Sequence, residues 1–89
     1  SANSYKHCGI IFGCLLFAKE NYLKIDYADL LNKIKSKIEK NNEFNLEYFE
    51  IRDEITLEPF SRSNNEGRFR GFICVKVEGV RLIDNLLLD

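Results

Sequence analysis

Apolar residues in the first half of the chain recur at three- and four-residue steps. Cys8, Ile11, Phe12, Leu15, Leu16, Tyr22 and Leu23 fall on one side of a helical wheel. Tyr27, Leu30, Leu31, Ile34 and Ile38 form a second, cleaner stripe. The spacing predicts two helices within residues 5–41, linked at Lys24 and Ile25. Asp26 reads as the N-cap of the second helix, Asp29 lies in its first turn near the positive end of the helix dipole, and Asn41 and Asn42 stop it. Gly9 and Gly13 interrupt the first stripe. Each costs about 1 kcal/mol against alanine inside a helix, and each would let another backbone come close.

The period then changes to two. Leu46 to Asp53 alternates, with Phe49 and Ile51 on one side and Leu46 and Tyr48 on the other. Pro59, Ser61, Ser63, Asn64, Asn65 and Gly67 mark a turn and a polar loop. Phe69 to Val77 alternates strongly, Glu78-Gly79 reads as a two-residue hairpin turn, and Val80 to Leu88 makes the returning strand. The predicted fold is α+β: two N-terminal helices packed on one face of a small, mainly antiparallel three-stranded sheet. Phe49, Ile73 and Val75 are expected in the core. Tyr48, Phe72 and Leu82 are expected on the second sheet face, where they read either as a surface awaiting a partner or as scattered surface hydrophobics.

Composition narrows the function classes. The 89 residues fit one small domain. Thirteen basic against 14 acidic side chains give a net charge of −1, which argues against nucleic acid as the main partner. The longest apolar run, Gly9 to Ala18, is too short to span a bilayer. Three cysteines, Cys8, Cys14 and Cys74, lie in apolar stretches without framework or zinc spacing, and they read as inert thiols of a reducing cytoplasm. Glycine-rich phosphate loops and a nucleophile elbow are absent, and the lone His7 has no partners at triad spacing. No catalytic or metal-ligating residue is predicted. Lys33, Lys35, Lys37 and Lys40 read either as a solvated helix face or as an anion surface. Between Glu43 and Glu58, six carboxylates face the single cation Arg52, whereas five cations between Arg62 and Arg81 face Glu66 and Glu78. Mutual attraction of these segments is the simplest account; a metal or general-acid site is the alternative.

Three segments carry a resemblance. Leu46-Glu47-Tyr48-Phe49-Glu50-Ile51-Arg52-Asp53, then Thr56-Leu57-Glu58-Pro59, then Arg81-Leu82-Ile83-Asp84-Asn85 resemble, in order and spacing, the C-terminal domain of the pantothenate synthetases (pantoate–β-alanine ligases). The resemblance implies that residues 1–89 are the C-terminal lid domain of an ATP-dependent ligase. That enzyme joins pantoate to β-alanine through a pantoyl adenylate, with ATP and Mg²⁺ held in the full-length protein and none bound to this part alone. It also implies an N-terminal Rossmann-like domain as partner, a homodimer, a cytoplasmic location, and no nucleic-acid or membrane partner. The family's Ser-Ser-Arg-Asn segment, which contacts ATP phosphates, is matched at Ser1 and Asn3, with Ala2 in the arginine's place. Arg81, Asp84 and Asn85 have two readings, a substrate contact or local ties within the sheet. A free-standing interaction module of the same fold is the alternative function.

Overall fold

The computed structural model describes residues 2–61, 63 and 65–88, with side chains from residue 9 onward. Helices α1 (Ala2–Asn21) and α2 (Tyr27–Glu39) precede strands β1 (Phe44–Asp53), β2 (Phe69–Val77) and β3 (Val80–Leu87). The strands form one antiparallel sheet in the order β1-β2-β3. The α+β arrangement is therefore as the sequence implies. Helix α1 packs over β2 and β3 and helix α2 over β1, so the helices share one face of the sheet.

From Gly9 onward helix α1 buries Ile11, Cys14, Leu15 and Ala18, and Tyr22 is buried just past its end, a narrower stripe than the sequence suggests; the Cys8 side chain lies outside the described residues. Phe12 and Leu16, each 43% exposed, lie on its outer flank beside Gly9 and Gly13, and Leu23 stands in solvent beyond the helix end. The helix closes where the Asn21 amide donates to the Phe17 carbonyl at 2.8 Å. Asp26 starts α2 from an extended backbone, and its carbonyl accepts the first helical bond, from Leu30 N–H at 2.9 Å. Leu30, Ile34 and Ile38 then point into the core.

Two features of the sheet correct the faces expected from alternation. A β-bulge between Leu46 and Tyr48 inserts Glu47, so Leu46 rejoins Phe49 and Ile51 on the helix face. Phe44, one register step earlier, is buried there too. The hairpin is a two-residue turn with Glu78 at φ 51° and Gly79 at φ 83°, both in the left-handed region, as a type I′ turn requires. It pairs Val77 with Val80 and therefore Val75 with Leu82. Leu82 thus packs against the core, and Ile83, beside Cys74, takes the outward place expected for Leu82.

The free edge of β1 is covered. The Tyr27 hydroxyl donates to the Phe49 carbonyl, and its ring stacks on Phe49 with an interplanar angle of 10°. Phe60 N–H donates to the Ile51 carbonyl at 2.9 Å, Asp53 N–H to the Glu58 carbonyl at 2.8 Å, and Leu46 N–H reaches the Glu39 carboxylate at 3.4 Å. Phe60 is itself anchored edge-on between Tyr22 and Phe69, with ring centroids 5.2 and 5.0 Å away.

This face assignment has a direct test. Ile73→Ser removes a fully buried side chain and buries a hydroxyl, and it should cost about 3–5 kcal/mol, most of the stability of a domain this size. Ile83→Ser, on the opposite face and 66% exposed, should change stability by less than about 0.5 kcal/mol. Urea titrations of the two variants measure the difference.

Candidate functional site

The three segments that carry the family resemblance meet on this sheet: β1, the turn after it, and β3. Asp53 builds the turn. Its Oδ1 accepts from Ile55 N–H at 2.8 Å and Thr56 N–H at 3.0 Å, while its carbonyl accepts from Leu57 N–H at 3.0 Å. Thr56 Oγ1 accepts from Glu58 N–H at 3.2 Å. Leu57 takes a left-handed backbone, φ 63°, and the chain folds back so that Pro59 bridges to Arg52. Gly67 completes the turn by close approach: a Cβ there would stand 2.0 Å from Asp53 Oδ2.

Charged side chains of these segments and of β2 bind one another, both across strands and within them. Arg70, at the second position of β2, donates to Glu54 Oε1 and to Asn85 Oδ1, both at 2.7 Å. Arg52 donates through Nε to Glu50 Oε2 at 3.0 Å and through Nη1 to the Leu57 carbonyl at 2.8 Å. Arg81 Nη2 lies 3.4 Å from Glu47 Oε2. Asp84 Oδ1 accepts from Asn85 N–H at 2.8 Å. Arg81, Asp84 and Asn85 therefore serve as ties within the sheet. The hydrogen bond to Glu50 raises the Arg52 pKa further, and the Thr56 and Ile55 amides hold Asp53 below the usual carboxylate range.

The acidic stretch is consequently distributed rather than focused. Glu47, Glu50 and Glu54 each face an arginine and Asp53 faces its own turn. Among the described residues no three His, Cys, Asp or Glu side chains converge as metal ligands do. Cys14 is buried, and that burial pushes its thiol up, away from the reactive thiolate.

Other sequence candidates are separated in space. Lys33, Lys37 and Lys40 line one groove with Phe17 and Ser36, whereas Lys35 lines another beside Leu46 and Glu47. Lys37 Nζ sits 4.5 Å above the centre of the Phe17 ring. A larger groove of about 540 Å³ lies between the α1–α2 link and Phe60, Ser61 and Asn65. Ser1 lies outside the described residues; Asn3 is in the first turn of α1, and its side chain also lies outside them. The sequence reading missed Arg70 as the hub of the cross-strand ties. Its alternation with Phe69 and Gly71, which puts it on the outer face of β2 with Phe72, was the available signal.

A sequence model of the pantoate–β-alanine ligase family matches residues 1–87. The chain belongs to that family. The pantothenate synthetase of Flavobacterium psychrophilum is 33% identical over 88 residues, which cover 99% of this chain and 31% of that protein. The pantothenate synthetase of Christiangramia forsetii is 36% identical over 58 residues, 65% of this chain and 20% of that protein. This pantoate–β-alanine ligase family chain thus spans less than a third of the length of these relatives.

The Asp53 turn gives the family fold an acid-sensitive element. The Asp53 carboxylate has a lower pKa folded than unfolded, so its contribution to stability is present above the unfolded value of about 3.9 and is lost as pH falls through the folded value. Carboxyl-carbon NMR titration should place the Asp53 midpoint below that of an unperturbed aspartate. Asp53→Asn should lose less stability than the unsubstituted protein between about pH 5 and pH 2.

Proposed function

We propose that residues 1–89 form the C-terminal lid domain of a pantothenate synthetase. The observation that carries this reading is the family match across residues 1–87, in a chain that spans 31% of a full-length relative. In the proposed reaction a pantoate carboxylate oxygen attacks the α-phosphorus of ATP, giving pantoyl adenylate and releasing pyrophosphate. The β-alanine amine then attacks the acyl carbon, loses a proton and expels AMP, leaving pantothenate.

The adenylate is prone to hydrolysis, so a domain closing over it contributes by excluding water and holding reactants in place. A sheet tied across its strands through Arg70 and Arg81 suits that task. ATP, its Mg²⁺, pantoate and β-alanine are assigned to an N-terminal Rossmann-like domain of the same polypeptide, in a cytoplasmic homodimer. Ser1 and Asn3 are assigned to the ATP phosphates of the assembled enzyme. The start of the 20-residue helix α1 supports this, since its first N–H groups and dipole favour an anion. With Ala2 where the family has arginine, that contact is weaker by one charge-assisted bond.

The test is an assay of the complete reading frame that contains these residues. It should form pantothenate and AMP from ATP, Mg²⁺, pantoate and β-alanine, whereas residues 1–89 alone should give no turnover above blank. Turnover by residues 1–89 alone would refute the assignment of the chemistry to the other domain. A complete reading frame with no such activity would favour the free-standing interaction module.

A further inference from the structure

The lysines of α2 and its C-cap divide into two sets. Lys33, Lys37 and Lys40 recur at four- and three-residue steps and rise along one side of the helix. With Asn32, Ser36 and the Phe17 ring of α1 they line a groove of about 380 Å³. Lys35 lines a different groove, with Glu47 and Glu50. Among the described residues no carboxylate pairs with Lys33, Lys37 or Lys40, whereas Arg52, Arg70 and Arg81 each pair with a glutamate. Lys37 Nζ rests 4.5 Å from the centre of the Phe17 ring, which fixes the middle of the row. Like charges gathered without a counter-charge repel one another, so an anion entering the groove relieves a cost already present in the fold. The helix dipole accounts for Lys37 and Lys40 at the end of α2, but Lys33 lies before the last turn. The same dipole opposes an anion there with only about half a negative charge, which the three ammonium groups outweigh.

We infer that this groove binds a soluble oligophosphate anion of the inorganic diphosphate class, held by the Lys33, Lys37 and Lys40 ammonium groups with the Ser36 hydroxyl and the Asn32 amide as further donors. The class follows from charge and shape. The row extends over about 10 Å of helix rise, so a single phosphate meets only part of it. Lys37 already covers one face of Phe17, and the rest of that side chain is half-buried, so no ring is offered for a base to stack on. The other lining residues are all polar, which leaves no exposed apolar side chain to enter a bilayer. Asn3, placed at the ATP phosphates, lies about 21 Å from Phe17 along α1 at 1.5 Å per residue, so the groove is a second anion position on this domain.

Amine-acetylation footprinting of the complete polypeptide, read by mass spectrometry at each lysine, tests this without reference to ligase activity. Inorganic diphosphate, added without Mg²⁺ at constant ionic strength, should slow acetylation of Lys33, Lys37 and Lys40 severalfold and leave Lys35 unchanged. Lys33→Gln and Lys37→Gln should each raise the diphosphate concentration for half-protection of Lys40 about tenfold, the loss of one charge-assisted bond. Lys35→Gln removes the same charge outside the groove and should change that concentration less than about twofold. These side chains are exposed, so the substitutions leave the fold intact. Equal slowing at all four lysines is diffuse attraction and overturns the site, as does an equal effect of Lys35→Gln. No slowing at Lys33, Lys37 and Lys40 overturns it as well. Slowing by phosphatidylglycerol vesicles and not by diphosphate identifies a membrane surface, again against the proposal.

Discussion

The two-residue turn at Glu78–Gly79 decides which side chains of this sheet see each other. A turn of that length admits one pairing, Val77 with Val80, and the pleat propagates the choice along both strands. Ile73 and Val75 then share a face with Leu82 and Leu86, under α1. Cys74 shares the other face with Ile83. Were the register to slip by one residue, Leu82 and Ile83 would exchange environments, and the core would lose an aliphatic wall while the outer face gained one. The backbone demand is concentrated at two positive-φ positions, one a glycine and one a glutamate that tolerates the strain.

A second register device works at the other side of the sheet. The bulge at Glu47 restores Leu46 to the core and leaves Tyr48 facing outward, and it brings Glu47 within reach of Arg81 two strands away. The Asp53 turn then sends the chain back along β1, with Gly67 close against the carboxylate and Phe60 wedged between Tyr22 and Phe69. Outer-face ion pairs and inner-face packing are therefore set by the same backbone choices. Exposed ion pairs of this kind are individually weak, yet Arg70 touches both Glu54 and Asn85 and joins three parts of the chain through one guanidinium.

Much of this architecture is legible in the sequence. The stripe of α2, the alternation of β2 and the hairpin turn reflect local rules that the fold obeys, and α2 starts after Asp26 as expected, through its backbone and without a side-chain capping bond. Alternation misleads where one residue changes parity. Alternation carried unbroken through Glu47 puts Leu46 on the wrong face, because a bulge leaves no mark in the hydrophobic pattern. Strand alternation alone puts Leu82 outward, although the hairpin turn fixes its partner as Val75; the information is local, but the turn and not the strand holds it. Phe12 and Leu16 join the α1 stripe at helical spacing, yet the sheet beneath is too narrow to cover the whole arc they extend. The cross-links of Arg70 and Arg81 need the register of three strands at once, which no window along the chain contains. Family membership was readable from the three motif segments, while the roles of Arg81, Asp84 and Asn85 required coordinates.

The covered edge of β1 has a consequence for the behaviour of this domain in a crowded solution. An uncovered strand edge invites another chain to add itself, and repeated addition ends in aggregates. Here the groups that would receive such a strand are already engaged by the Tyr27 hydroxyl, the Phe60 amide, the Glu58 carbonyl and the Glu39 carboxylate. On the opposite edge, Asp84 places a carboxylate on the face beneath the helices and engages the neighbouring Asn85 amide, so that burying this edge against a foreign strand would strand a charge. The β1 edge is thereby closed to strand addition, and contacts on that side of the sheet must be made through its faces.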